Sequence, residues 1–262
     1  MYFSSIDMLS WEEVAGNSVL LPSQPKGLIH FLGGAFVATA PQITYSWLLE
    51  SLAEAGYGII ATPFINDLNH NAIAQRALNR FETTYQRLGL FRRYLPIYGL
   101  GHSMGCKLHL LINSLYEVQR AGNLLISYNN YPAREAVPFV EQLNSLVALD
   151  LEFTPSPERT YEIVRKDYHA PRTLLVRFQD DTIDQTEQLK PILEGGSPNL
   201  VSYLQLSGNH LTPVNPREWN WEPGTNFSPL DALGQWIKQQ FYSDIIQLKK
   251  EVLRWLDPGT RY

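Results

Sequence analysis

The sequence predicts an α/β fold, one mostly parallel sheet with helices on both faces. Three observations carry that expectation. Short apolar runs alternate with segments of helical periodicity through much of the chain. Apolar residues make up 44% of the 262, enough to cover both faces of a buried sheet. The long apolar runs of the first third stop at glycine or proline, at Gly33-Gly34 and at Pro63, as strands do where loops begin. The length suits one large domain, and residues 1–262 are read as one.

Taken in order, 11–14 and 18–21 read as a short antiparallel pair around Gly16-Asn17. Residues 27–32 are a central strand. Residues 41–55 carry Ile43, Trp47, Leu48, Leu52 and Ala55 at helical spacing, and Gly56 stands where that helix would stop. A strand at 57–61, a helix at 71–88, a strand at 95–100, a helix at 107–118 and a strand at 124–128 come next. Strands alternating with helices imply a parallel sheet covered on both sides. The alternation then breaks. Prolines stand at 132, 138, 155 and 157, and no strand is evident up to 168. So long an irregular stretch is read as a lid inserted at about 131–169. Strands resume at 173–178 and 200–206, and 229–256 reads as one or two helices.

Composition removes several function classes. The formal charge is −5 and no long basic run is present, which argues against a nucleic-acid surface. The single cysteine, Cys106, rules out a disulfide framework within the chain. No apolar stretch is long enough for a bilayer span, and the first residues lack a signal-peptide pattern. The expected location is therefore the cytoplasm, or the plastid stroma if the source is a plant. No histidine, cysteine and carboxylate cluster has metal-ligand spacing, so neither metal nor cofactor is expected.

The strongest chemical signal is Gly101-His102-Ser103-Met104-Gly105, which matches G-x-S-x-G between an expected strand and an expected helix. A sharp strand-to-helix turn strains the serine backbone and presses residues two away against strand and helix, where glycine fits. The hydroxyl then stands at a helix N-terminus, which favours a developing negative charge. A dinucleotide loop fits poorly. Its third glycine would have to stand at Met104, and no acidic residue stands at the right distance beyond it, the next strand running to Tyr128-Asn129. A P-loop fails because Lys107 does not directly follow the second glycine.

A serine nucleophile needs a base, an orienting acid and an oxyanion hole, with acid and base following the serine in this chain order. Only His210, in Ser207-Gly208-Asn209-His210-Leu211, lies beyond the strand at 173–178. The loop after that strand holds Asp180, Asp181 and Asp184. Counting from the strand end favours Asp181; Asp180 suits a turn-shaping role and Asp184 a helix cap. One oxyanion donor would be the Met104 N–H. The other would come from Gly33-Gly34-Ala35-Phe36, with Ala35 the first choice and Phe36 the second. His102 either points into the pocket or packs under the elbow. His30 reads as a hydrogen-bonded core residue and Cys106 as a small packing residue. Trp219, Trp221 and Phe227 suit either a pocket mouth or a brace for the terminal helices.

Together these residues resemble the α/β-hydrolase superfamily over nearly the whole chain. Within it, Ile29-His30-Phe31-Leu32-Gly33-Gly34-Ala35-Phe36 is similar to an uncharacterised family of cyanobacteria and plant plastids that has no settled reaction. Two departures stand out: Leu32-Gly33 replaces the usual His-Gly before the oxyanion loop, and Phe178 stands where a glycine would precede Asp181. The resemblance implies a Ser-Asp-His triad and acyl-ester chemistry on a small-molecule substrate, and leaves the oligomeric state open. Tyr131, Phe139, Leu143, Leu146, Leu151 and Phe153 suggest an apolar, lipid-like acyl group, or simply pack the lid onto the sheet. Hydrolysis of an ester or thioester is the expected activity. The alternatives are acyl transfer on the same machinery, and a ligand- or partner-binding module with little turnover.

Overall fold

The computed structural model describes residues 9–35, 37–132, 152–196, 199–215 and 229–260, with side chains in the last segment from 242 onward. Eight strands form one sheet in the order β1-β2-β4-β3-β5-β6-β7-β8. The strands are β1 (Glu12–Val14), β2 (Asn17–Leu20), β3 (Gly27–Leu32), β4 (Tyr57–Ala61), β5 (Ile97–His102), β6 (Gly122–Ile126), β7 (Arg172–Phe178) and β8 (Leu200–Leu206). From β4 across to β8 every pairing is parallel; β1 and β2 add an antiparallel edge.

The helices are α1 (Pro41–Thr44), α2 (Ser46–Glu54), α3 (His70–Arg87), α4 (Met104–Leu115), α5 (Pro157–Asp167), α6 (Thr186–Glu194) and α7 (Pro229–Leu256), with a 3-10 turn at Leu90–Arg93. Alternation along the strands divides the core. Ile29, Phe31, Leu124, Ile126, Leu174 and Val176 pack under α2 and α7 with Leu48, Leu52, Leu248 and Val252. Leu125 and Leu175 face the other way, toward Cys106, Leu110 and the α5 and α6 side chains Val164 and Leu189. Both faces of β3 and β4 are buried, which is why their sequences read as mostly apolar runs.

Three expectations need correction. The hairpin turn lies one residue earlier than Gly16-Asn17. Ala15 and Gly16 take positive φ of 52° and 76°, the signature of a two-residue hairpin turn. Asn17 instead begins β2, buried, its amide donating to Thr84 Oγ1 at 2.7 Å and to the Arg80 carbonyl at 2.9 Å. The helix expected over 41–55 is broken at Tyr45, whose ring is fully buried. The stretch expected to be irregular up to 168 contains α5. Pro157 begins that helix rather than breaking anything, because a proline in the first turn lacks only an N–H that would be orphaned anyway. The Ser156 side chain caps it by accepting from Arg159 N–H. About half of the expected lid, 133–151, lies outside the described residues.

Register sets up the site. Leu32 pairs with Gly101, His102 with Ile126, Ile126 with Val176, and Phe178 with Leu206. The loops after β3, β5, β6, β7 and β8 therefore emerge side by side at the C-terminal edge of the parallel sheet, where open α/β sheets place their ligands. Among the described residues no helix is long and apolar enough to cross a membrane.

Candidate active site

The turn from β5 into α4 places Ser103 at φ 55° and ψ −120°, backbone space that a non-glycine residue enters at a cost of roughly 1–3 kcal/mol. Its N–H donates to the Ile126 carbonyl at 3.0 Å and its carbonyl accepts from Cys106 N–H at 3.0 Å. Both elbow glycines are required by space. A Cβ on Gly101 would stand 2.6 Å from the Cys106 nitrogen, and one on Gly105 would stand 2.0 Å from the Leu32 carbonyl oxygen. β3, β5 and α4 thus meet at backbone contact, and the serine side chain is the part left facing the sheet edge.

His210, in the loop after β8, brings Nε2 to 3.0 Å from Ser103 Oγ. Its Nδ1 lies 2.8 Å from Asp181 Oδ2, in the loop after β7. Since an ionised carboxylate only accepts, Nδ1 carries the proton, Nε2 is the acceptor, and Ser103 donates its hydroxyl hydrogen to Nε2. Asp181 Oδ1 also accepts from Ile183 N–H at 3.1 Å. Burial by itself would push the Asp181 carboxyl up. The hydrogen bond and charge of His210, with smaller help from the Ser127 hydroxyl and Ile183 N–H, bring it below the ordinary value instead. It stays ionised.

The other two aspartates go elsewhere. Asp180 is exposed, its N–H bonded to the Gly208 carbonyl at 3.0 Å. Asp184 accepts from the N–H and hydroxyl of Thr186 at 2.8 and 2.9 Å, at the start of α6. Burial pushes its carboxyl up to about 6.

The oxyanion candidates also sit at this edge. Met104 is the first residue of α4, where a helix leaves its N–H groups without internal partners. In the loop after β3, Gly34 is not free to serve, because its N–H donates to the Tyr45 hydroxyl at 2.8 Å. Ala35 is described beside it; Phe36 lies outside the described residues. The glycine pair is pressed against tyrosine and elbow. A Cβ on Gly33 would stand 2.8 Å from Tyr45 Cε2, and one on Gly34 would stand 3.4 Å from Ser103 Cβ.

His102 packs beneath the elbow. Its Nε2 bonds the His210 carbonyl and its Nδ1 the Tyr45 hydroxyl, both at 2.8 Å. A carbonyl accepts, so Nε2 carries the proton. The order of donors is therefore Gly34 N–H to Tyr45, Tyr45 O–H to His102, and His102 N–H to His210. Burial foremost, and then the neighbouring His210, lowers His102 to about 3, so it is neutral. This chain ties the loop after β3 to the loop bearing His210. It also explains the break at Tyr45, which frees that ring from helical placement. Tyr45 carried no sequence signal, since it stands inside a helical apolar pattern.

A second missed residue is Asn129, three positions past β6, whose Nδ2 lies 3.1 Å from Ser103 Oγ. A polar side chain just beyond the strand paired with the elbow strand was the available clue. Elsewhere, Cys106 is buried with Sγ 3.2 Å from the Gly101 and Ile126 carbonyls, and burial raises its thiol. His30 is buried, Nε2 3.1 Å from Thr62 Oγ1. Trp219, Trp221 and Phe227 lie outside the described residues. Among the described residues no three His, Cys, Asp or Glu side chains converge as metal ligands would.

Solved structures with the same architecture include a soluble variant of monoglyceride lipase from Saccharomyces cerevisiae. It is 10% identical, with a TM-score of 0.61 over 99% of this chain and 97% of that one. The fluorophosphonate-binding serine hydrolase F of Staphylococcus aureus is 13% identical, with a TM-score of 0.54 over 86% and 91%. The thioesterase domain from the curacin biosynthetic pathway is 15% identical, with a TM-score of 0.52 over 79% and 94%. The fold is that of the α/β-hydrolases. No curated protein matches the sequence. One family profile, described as "Protein of unknown function (DUF1350)", matches residues 10–258.

Proposed function

The chain belongs to the family described as "Protein of unknown function (DUF1350)", and from the geometry at Ser103 we propose that it is a serine hydrolase of acyl esters or thioesters. The observation that carries the proposal is the line of hydrogen bonds from Asp181 through His210 to a serine held at positive φ on a helix N-terminus. A packing serine needs neither the strained backbone nor a histidine polarised by a buried carboxylate.

Ser103 Oγ attacks the acyl carbonyl carbon as its proton moves to His210 Nε2, and the carbonyl π pair becomes an oxyanion. Asp181 holds the imidazole tautomer and stabilises its charged form without taking the proton. The N–H groups of Met104 and Ala35, with Phe36 the alternative to Ala35, receive the oxyanion. One such donor is worth on the order of 3 kcal/mol. The intermediate collapses and expels an alcohol or thiol, which takes the proton from His210. Water, deprotonated by His210, then releases the acid from Ser103. The apolar sequence around 139–153 favours an apolar, lipid-like acyl group.

The test is turnover of p-nitrophenyl esters and acyl thioesters of increasing chain length by wild type and Ser103→Ala. Hydrolysis that rises with chain length and vanishes in the variant is expected. Equal turnover by both proteins would remove Ser103 from the reaction. No turnover by folded wild type would favour a binding module.

A further inference from the structure

Among the described residues two polar side chains stand against Ser103 Oγ, His210 and Asn129, and the proposed reaction uses only the first. We propose that Asn129 is a catalytic residue whose side-chain amide donates to Ser103 Oγ and supports the alkoxide as it develops. The inference rests on Ser103 being the nucleophile.

The direction of this hydrogen bond is set by its neighbours. Asp181 accepts from His210 Nδ1 at 2.8 Å, which leaves Nε2 to accept the serine proton at 3.0 Å. Oγ then has only lone pairs to offer Asn129. At 3.1 Å the amide must turn its N–H toward the serine, because its carbonyl oxygen would oppose a second acceptor.

The loop around Asn129 is fixed. Ser127 N–H donates to the Val176 carbonyl at 2.9 Å, and the Tyr128 carbonyl accepts from Gln185 N–H at 2.7 Å. On the other side, Asn130 N–H donates to Gln185 Oε1 at 2.6 Å, and Asn130 Nδ2 donates to the Pro157 carbonyl at 3.0 Å. Asn129 is thus gripped on both sides by residues tied to β7, α5 and α6. Its amide is held over the nucleophile by the frame of the fold, as pre-organised donors are.

Such a donor favours the transition state. Oγ carries most negative charge while its proton passes to His210 in acylation, and again as it departs from the acyl group in deacylation. As the ester oxygen of the acyl-enzyme it is a weak acceptor. The bond is therefore strongest when the barrier is crossed, which is the condition for raising kcat rather than tightening binding. Asn129 keeps its proton throughout, and no further reactant is needed.

The test compares fluorophosphonate labelling rates of wild type, Ser103→Ala, Asn129→Ala and Asn129→Asp at pH 8, with matched thermal melts to confirm folding. Asn129→Ala should react about ten- to a hundredfold more slowly, the range for a hydrogen bond to a charged group. Asn129→Asp, the same shape with an acceptor in place of the donor, should be slower still. A spacer role predicts the reverse order, Asn129→Asp close to wild type and faster than Asn129→Ala; that order, or equal rates for all three, overturns the inference. If folded wild type fails to label, or Ser103→Ala labels as wild type does, the nucleophile assignment fails and takes this inference with it.

Discussion

Two histidines stand ring to ring at this edge, His102 and His210, with centroids 5.0 Å apart. Each uses both ring nitrogens, yet their partners differ in kind. His210 lies between an ionised carboxylate and an alcohol, and its side chain keeps 17% of its exposure. His102 lies between a phenol and a backbone carbonyl and is sealed from solvent. A histidine against a carboxylate can accept a proton and be stabilised in doing so. One whose neighbours are neutral, in a dry site, cannot. On the proposed mechanism, partner chemistry, more than proximity to Ser103, separates a base from a brace.

The sharpest way to break this comparison is to remove the proposed base and its carboxylate. His210→Ala should lower kcat by about 10⁶-fold and Asp181→Asn by about 10⁴-fold, the scale of loss in a serine, histidine and aspartate unit. Circular dichroism should show both variants folded. Retained activity in either would mean that the carboxylate and imidazole are ornamental.

Acid tests the sealed histidine and its buried counterparts next. Burial, the largest cause in each case, lowers His70, His102 and His109 to about 3, and lowers His30 well below its ordinary value. The unfolded chain protonates these groups near pH 6.5. It therefore binds more protons than the folded chain between pH 6.5 and 3, so their contribution to stability is complete above 6.5 and is lost as pH falls. Urea unfolding followed from pH 7.5 to pH 4 should show a steep fall in unfolding free energy. A flat profile would mean that these rings are hydrated in the folded protein.

Tyr45→Phe sharpens the brace. It leaves the Gly34 N–H and His102 Nδ1 without a partner, at a cost of about 1–3 kcal/mol. A thermal melt should move down by several degrees, while KM and kcat should change far less than in His210→Ala. An unshifted melt would show that water replaces the phenol. The smallest effect belongs to Asp180→Asn, exposed and one residue from Asp181. Its kcat should stay within about twofold of wild type, as surface changes usually do; a loss near that of Asp181→Asn would reopen the choice of acid.

Short-range rules made much of the fold legible in the sequence, together with the residues that the structure gathers around Ser103. The central strands were visible because a parallel sheet buries both faces and leaves continuous apolar runs. The elbow was visible because strain and close packing demand glycine at 101 and 105. His210 and Asp181 were reachable by counting from strand ends. The helix α5 was hidden because Pro155 and Pro157 read as breakers, whereas Pro157 occupies the one helical turn that tolerates it. Tyr45 and Asn129 were hidden for a different reason. Each acts across the sheet edge, on residues 57 and 26 positions away; nothing local marks the Tyr45 contact, and Asn129 is marked only by its place just beyond β6.

The proposed chemistry stands on Ser103 as the nucleophile, and peptide mapping by mass spectrometry after fluorophosphonate treatment tests it most directly. One adduct is expected, on the peptide bearing Ser103, and its absence is expected in Ser103→Ala and in wild type unfolded before treatment. An adduct on another residue, or none on folded wild type, would contradict it.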